Sequence, residues 1–156
     1  MSDDVSRLDP DELRAWRNFL EGGRLISVLL DRRLKQEAGI THADYGVLVE
    51  IAAAGRLRMA ELAHQVWFSR SRLAHLIDRL VRLGLVVREE DPVRGKTTYA
   101  VLTEKGERAV AVGRSVVVGT LRVDFLAHLP TEGVSVLGPG LDRAVEHLRD
   151  LPDCAV

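Results

Sequence analysis

Apolar residues recur at three- and four-residue steps through most of this chain, which is the periodicity of amphipathic α-helices. The pattern predicts helices over residues 9–38, 41–55, 59–66, 69–83, 103–129 and 132–151. Two runs of β-prone residues, 85–89 and 98–102, interrupt the helices, and residues 57–58 are expected to add a short third strand. The chain is therefore expected to be mainly α-helical with a small β-sheet.

The predicted starts of the first two helices carry strong local signals. Asp9 can cap a helix N-terminus, Pro10 suits the first turn, and Glu12 stands at the reciprocal position of a capping box. Thr41 and Asp44 repeat that three-residue spacing ahead of the second helix. These signals fix where both helices begin.

Two predicted helices contain residues that disfavour helix. Gly22 and Gly23 each cost about 1 kcal/mol relative to alanine, and the pair allows either a close approach of a second chain or a simple kink. Gly138, Pro139 and Gly140 interrupt the last helix, where an internal proline costs about 3 kcal/mol or more. A break or kink is expected there.

Residues 59–103 have the order of a winged helix-turn-helix. A short helix over 59–66 is followed by a tight joint in which Ser69 can cap the next helix, at 69–83. Two strands then flank a loop whose turn residues are Pro92 and Gly95. Two cations, Arg94 and Lys96, also lie in this loop.

The helix over 69–83 is apolar on one face and basic on the other. Residues 69–88 contain five arginines and one acid, Asp78, a local excess of four positive charges. A charge run on a helix is often only a solvated face, but this one follows a capped turn and precedes a basic hairpin. Guanidinium and hydroxyl groups are donors for phosphates and base edges. The candidate DNA contacts are Ser69, Arg70, Ser71, Arg72, His75 and Arg79.

Position along the helix separates the expected roles. The first half of a recognition helix enters the major groove, so Arg70, Ser71, Arg72 and His75 are expected at base edges. For Arg79, a phosphate contact or an ion pair with Asp78 or with residues 89–90 is as plausible as a base contact.

Arg94 and Lys96 lie at the predicted hairpin tip and are expected to reach a minor groove or its phosphates. The formal net charge of −1 does not argue against DNA binding, because residues 1–12 hold a local charge of −4 that offsets the basic helix. Charges far apart on a protein are screened from each other at a Debye length of about 8 Å.

At these residues the chain resembles the MarR family of bacterial transcription regulators. The similar pieces are the RMAELA opening at 58–63, the helix SRSRLAHLIDRL, and the GLV that enters the hairpin. A frame shared with the family is formed by Asp91, Pro92, Leu102, Thr103 and Gly106. The family commonly has Asp-x-Arg in the loop, where this chain has Arg94 and Lys96, so a cation is kept at the second position.

The resemblance implies a winged helix-turn-helix DNA-binding domain over 39–103, flanked by dimerisation helices over 1–38 and 104–156. In the family the termini interleave into a two-fold homodimer, and two recognition helices meet a pseudo-palindromic operator in double-stranded DNA. The resemblance further implies a repressor that is released by a small aromatic or phenolic effector.

A second site is expected between the winged helix and the dimer base, where many family members bind such effectors. Trp16, Phe19, Tyr45 and Leu48 could line it, with Arg17 as a partner for a carboxylate. The alternative is that these aromatic and apolar residues are simply core.

Other classes of site are not expected. The histidines are scattered, Glu61 and His64 form only half of a two-motif metal site, and no nucleophile has an evident partner, so no enzyme, metal or cofactor is predicted. Cys154, the single cysteine, permits no internal disulfide and suits a reducing cytoplasm; a redox role is less plausible than an incidental one. No leader or membrane span is expected.

The alternative function from another class is a protein-interaction module that uses a winged helix without sequence-specific DNA binding. Neutralising ion pairs across the basic face would favour that alternative, and a clear sequence preference on DNA would exclude it.

Overall fold

The computed structural model describes residues 7–90 and 97–151. Within them the helices are α1 (Pro10–Ala38), α2 (His42–Ala54), α3 (Met59–Gln65), α4 (Arg70–Arg82), α5 (Glu104–Asp124) and α6 (Gly133–Arg149). The strands are β1 (Arg56–Arg58), β2 (Val86–Glu90) and β3 (Thr98–Leu102). The predicted fold class, mainly α with a small sheet in a winged helix-turn-helix, is confirmed. No helix in the described part is both long and apolar enough to cross a membrane.

Helix α1 begins at the predicted capping box. The Asp9 carboxylate accepts from the backbone N–H of Glu12 at 2.8 Å, and the Glu12 carboxylate accepts from the N–H of Asp9 at 2.9 Å. The helix runs on through Gly22 and Gly23 to the left-handed cap at Gly39. Its C-terminal half contributes the buried side chains Leu30 and Leu34, whereas residues 10–21 are exposed throughout.

The small sheet has the strand order β1-β3-β2 and is antiparallel throughout. Leu57 of β1 lies opposite Ala100 of β3, and both are buried. Val86 of β2 is also buried and pairs with Leu102. The predicted third strand is therefore confirmed, and the inward face of the sheet closes one side of the core.

One core joins the end of α1, the helix-turn-helix and the start of α5. Its most completely buried side chains, all below 2% exposure, include Leu34, Ile40, Leu48, Ile51, Leu62, Leu73, Ile77 and Leu80. Because these residues come from α1 to α4, the orientation of α4 is set by packing against the rest of the chain.

The C-terminal part differs from the prediction in two ways. Helix α5 ends at Asp124 rather than at 129, and a 3₁₀ turn over Leu126–His128 follows it. A break or a kink was predicted at Pro139; helix α6 continues through Pro139, so the break is wrong. Every residue of α6 from Val134 to Gly140 is exposed, so water can take the hydrogen bond that the Ser135 carbonyl loses to proline.

A large apolar surface remains uncovered on the two terminal helices. We call it the terminal apolar surface. Its members, each at least 39% exposed, are Leu13, Trp16, Phe19, Leu20 and Leu25 of α1 and Val134, Val136, Leu137, Val145 and Leu148 of α6. Helix α6 contains no buried residue, so packing within the described chain does not account for its apolar side chains.

Candidate nucleic-acid interface

Helices α3 and α4 form the predicted helix-turn-helix. The turn passes through Trp67, which has a φ of 54°, a left-handed value that is uncommon for a residue with a large side chain. Ser69 then caps α4, because its hydroxyl accepts from the backbone N–H of Arg72 at 3.3 Å. Leu73, Ile77 and Leu80 are buried, which leaves the opposite face of α4 toward solvent.

The exposed face of the first two turns of α4 brings together the predicted base-edge candidates. Arg70, Ser71, Arg72 and His75 are all exposed. The Arg72 guanidinium lies over the ring of Phe68, with its carbon 4.0 Å from the ring centre. Such stacking limits the positions of the guanidinium while its edge donors stay available to a ligand.

Arg79 does not make the ion pair that the sequence suggested. Its guanidinium pairs with Asp44 of α2, at 2.7 Å and 2.9 Å to the two carboxylate oxygens, and not with Asp78 or residues 89–90. Asp44 is fully buried, while the Arg79 side chain is 39% exposed. Asp78 pairs instead with Arg88 of β2 at 2.7 Å. The third turn of α4 is thus tied both to α2 and to the hairpin.

A cluster of side chains on β1 and β3, level with Glu89 of β2, was missed from the sequence. Tyr99 of β3 lies beside Arg56 and Arg58 of β1, whose guanidinium carbons are 4.6 Å and 5.7 Å from the ring centre. The Arg58 Nε also donates to the Tyr99 hydroxyl at 3.1 Å. The alternation of Arg56 and Arg58 about the inward Leu57 was the signal that could have found it. This cluster stiffens the strands that carry the wing.

The wing tip lies outside the described residues, and with it the predicted contacts Arg94 and Lys96. Cys154 also lies outside them. The stated roles of these residues stay predictions.

The five predicted effector residues are not brought together within the chain. Trp16 and Phe19 are exposed and stacked on each other, with ring centres 6.1 Å apart, and Arg17 is exposed beside them. Tyr45 is half-buried against α5 and Leu48 is in the core. Helix α2 meets α1 at Asp31, and Trp16 lies about 22 Å from that level at 1.5 Å per residue.

A different hollow, of about 490 Å³, lies where α1 meets the start of α2. It is lined by Ser27, Val28, Asp31, Arg32, Lys35 and His42. Asp31 bonds Lys35 and the backbone N–H of His42, and these bonds hold the pKa of its carboxyl below the ordinary 3.8. Among the described residues, no group of three or more His, Cys, Asp or Glu side chains is placed to hold a metal ion.

Comparison with known proteins accords with this geometry. The family model described as MarR family matches residues 38–96, which include α2 to β2. The crystal structure of Sco3205, a MarR family transcriptional regulator from Streptomyces coelicolor solved in complex with DNA, is 34% identical. The match covers 94% of this chain and 98% of Sco3205, with a TM-score of 0.84. The chain belongs to the MarR family.

Other MarR and helix-turn-helix relatives agree. AbsC, a MarR family regulator from Streptomyces coelicolor, is 34% identical over 94% of this chain and all of its own, with a TM-score of 0.86. An uncharacterized HTH-type transcriptional regulator of Bacillus subtilis (strain 168), YkoM, is 30% identical over 74 residues. That match spans 47% of this chain and about half, 48%, of YkoM. The MarR fold of this chain is thus the winged helix-turn-helix of transcriptional regulators.

Proposed function

We propose that this MarR protein binds double-stranded DNA sequence-specifically as a homodimer, and represses transcription until a small aromatic or phenolic effector releases it. The observation that carries the proposal is the exposed basic first half of α4, with Arg70, Ser71, Arg72 and His75 on one capped helix end. That end is the part of a recognition helix that enters a major groove. Sco3205, which shares this fold at 34% identity, was solved with DNA.

Within this proposal the contacts divide by chemistry. Arg72 reads a base edge, because a forked donor matches the two acceptors of guanine and its stacking on Phe68 restricts its rotamers. Arg70, Ser71 and His75 are the further candidates for base edges. Ser69 holds a phosphate at the helix start, and Arg94 and Lys96 hold the backbone or minor groove at the wing. Phosphate contacts supply affinity, whereas base contacts supply the choice of sequence.

The homodimer is proposed from the terminal apolar surface. Side chains on α1 and α6 that find no cover within the chain would be buried by the same helices of a second copy, as a two-fold interface requires. Two copies would present two recognition helices to successive major grooves, which fits a pseudo-palindromic operator.

Replacing Phe19 by glutamate tests this interface. Phe19 is 53% exposed in the single chain, so the substitution should leave the fold intact, but it would place an unpaired carboxylate in the dimer. Sedimentation equilibrium should show dissociation at concentrations at least about tenfold above wild type. Val87→Glu, which changes a 42% exposed residue of β2 outside the terminal apolar surface, should stay dimeric. Unchanged assembly of the Phe19 variant would count against the proposed interface.

The effector part of the proposal is supported by the hollow between α1 and α2. It combines the apolar side chain of Val28 with the cation Arg32, a combination that suits an aromatic ring bearing an acidic group. Lys35 lines the same hollow but is paired with Asp31 at 2.9 Å, so Arg32 is the cation that such a group would meet. The separation of Trp16, Arg17 and Phe19 from Tyr45 and Leu48 argues against the pocket first predicted, at least within one chain.

The DNA-binding proposal is tested by fluorescence anisotropy on the duplex upstream of the protein's own coding region, over a salt series and against a scrambled duplex. The native site should bind at least about 100-fold tighter than the scramble, with affinity falling steeply as salt rises. Arg72→Ala should lose about 10- to 100-fold of that preference, the worth of one good base contact. Arg114→Ala, at an exposed position of α5 outside the terminal apolar surface, is the matched control and should keep it.

If both duplexes bind equally and weakly, the next experiment is to select the fragments of genomic DNA that the protein binds. A selected motif would place the operator elsewhere and uphold the proposal. If no motif emerges, the protein-interaction module becomes the better interpretation.

A further inference from the structure

The ion pair between Arg79 and Asp44 joins the recognition helix to α2. One nitrogen of Arg79 contacts both oxygens of Asp44, at 2.7 Å and 2.9 Å, and the carboxylate is completely shielded from solvent. A buried charge is stable only while its partners stay in place, so separating this pair is unfavourable. The contact therefore restrains α4 against α2.

Asp44 also belongs to the start of α2. The same carboxylate accepts from the backbone N–H of Thr41 at 2.7 Å, and the Thr41 hydroxyl accepts from the N–H of Asp44 at 3.1 Å. One residue along, the N–H of His42 donates to Asp31 of α1 at 3.0 Å. Helices α1, α2 and α4 thus meet at one corner, and Asp44 is its fully buried charge.

Arg79 shares a helical stripe with the proposed base readers. It follows His75 by four residues and Arg72 by seven, and at 100° per residue these positions lie on one face of α4. Arg72 and His75 are exposed near the start of the helix, while Arg79 is bound to protein further along. The stripe is therefore exposed at its N-terminal end and ion-paired with α2 at its C-terminal end.

We propose that Arg79 and Asp44 are positioning residues that set the angle at which α4 presents Arg72 and His75 to DNA. Arg79 does not itself contact phosphate, because its guanidinium neutralises a carboxylate that has no access to water. The inference rests on the proposed DNA-binding function. It makes Asp44, a residue remote from the basic face in sequence, a determinant of specificity.

The direction in which Asp44→Asn changes DNA affinity separates this role from a phosphate contact. Asp44→Asn keeps an oxygen for the Thr41 N–H but removes the charge that holds Arg79. If Arg79 contacted phosphate, the loss of a nearby negative charge would strengthen binding to every duplex. Positioning predicts the reverse: native-site affinity falls at least about tenfold, scrambled-duplex affinity is unchanged, and the salt slope stays the same.

The ratio of native to scrambled affinity also separates positioning from simple instability. A partly unfolded variant would lose both affinities in proportion to its folded fraction, whereas a tilted α4 loses only the base-specific part. Arg79→Lys, which keeps the cation but not the fork, should show a smaller loss of the ratio than Arg79→Met. These two variants keep the test usable if Asp44→Asn folds poorly.

Amide hydrogen exchange provides a readout that needs no DNA. In Asp44→Asn the peptide covering α4 should exchange at least about tenfold faster while that covering α5 is unchanged. Asp78→Asn is the matched control. It also replaces a carboxylate that pairs with an arginine, but this pair with Arg88 is partly exposed, so the substitution should change exchange little.

DNA binding and hydrogen exchange distinguish failure of the function from failure of the positioning role. A wild-type protein without DNA preference would overturn the proposed function, and exchange would still decide whether the pair holds α4. Unchanged α4 exchange in Asp44→Asn, or tighter binding to both duplexes, would overturn the positioning role.

Discussion

Replacing Gly106 by alanine should cost at least about 3 kcal/mol of unfolding free energy, within the range for severe overpacking combined with backbone displacement. An added Cβ at this buried position would stand 2.1 Å from the carbonyl oxygen of Leu85 and 3.1 Å from its carbon. Backbone atoms cannot rotate away as a side chain can. The Leu85 oxygen also accepts from the N–H of Thr103 at 3.1 Å, so moving it breaks the joint between the hairpin and α5.

Urea unfolding at a fixed chain concentration measures the effect, because association would otherwise alter the apparent stability. Gly46→Ala is the matched control. An added Cβ there meets nothing within 4 Å in the middle of α2, so the change should be neutral or stabilise by up to about 1 kcal/mol. Equal stabilities for the two variants would contradict the close approach at Gly106.

Leu48→Ala should destabilise the protein by about 2–5 kcal/mol, through lost apolar burial and the cavity left behind. Leu48 is 0% exposed in the middle of α2, in the core that joins α1 to the helix-turn-helix. The same unfolding experiment checks it. Val81→Ala removes apolar carbons from a residue of α4 that is 36% exposed, and should change stability by less than about 1 kcal/mol.

This result also bears on the first effector hypothesis. Were Leu48 the wall of an open ligand pocket, its truncation would cost little, since solvent could fill the space. A loss below about 1 kcal/mol would therefore favour the pocket over the core.

Local signals accounted for most of the fold. The capping boxes at Asp9 and Thr41 and the Ser69 cap are each set by residues a few positions apart, and all appear where predicted. The break expected at Pro139 also came from a local signal, and it is absent. A local rule penalised the proline, but an exposed helix can hydrogen-bond water at the freed carbonyl, so the rule did not decide the outcome.

The candidate site was only partly predictable, for a different reason. Periodicity identifies which face of α4 is exposed, and so it found Arg70, Arg72 and His75. It carries no information on the partner of Arg79, because Asp44 lies 35 residues earlier and reaches it only through tertiary packing. In the same way, periodicity places Trp16 on the apolar face of α1. It does not indicate at which level along α1 that face contacts α2.

The chain's two tryptophans lie in different parts of this architecture, with Trp16 on the terminal apolar surface and Trp67 in the turn that leads into α4. Each part thus carries its own intrinsic fluorophore. A Trp16→Phe variant would emit only from the turn beside the recognition helix, and a Trp67→Phe variant only from the N-terminal half of α1. Trp67 also lies beside Arg149 of α6, whose guanidinium carbon is 5.8 Å from its ring centre, and it lines a hollow with Val145 and Leu148. The proposed association through α1 and α6 would therefore change the emission of both tryptophans, whereas Trp67 alone would report on changes at the turn before α4.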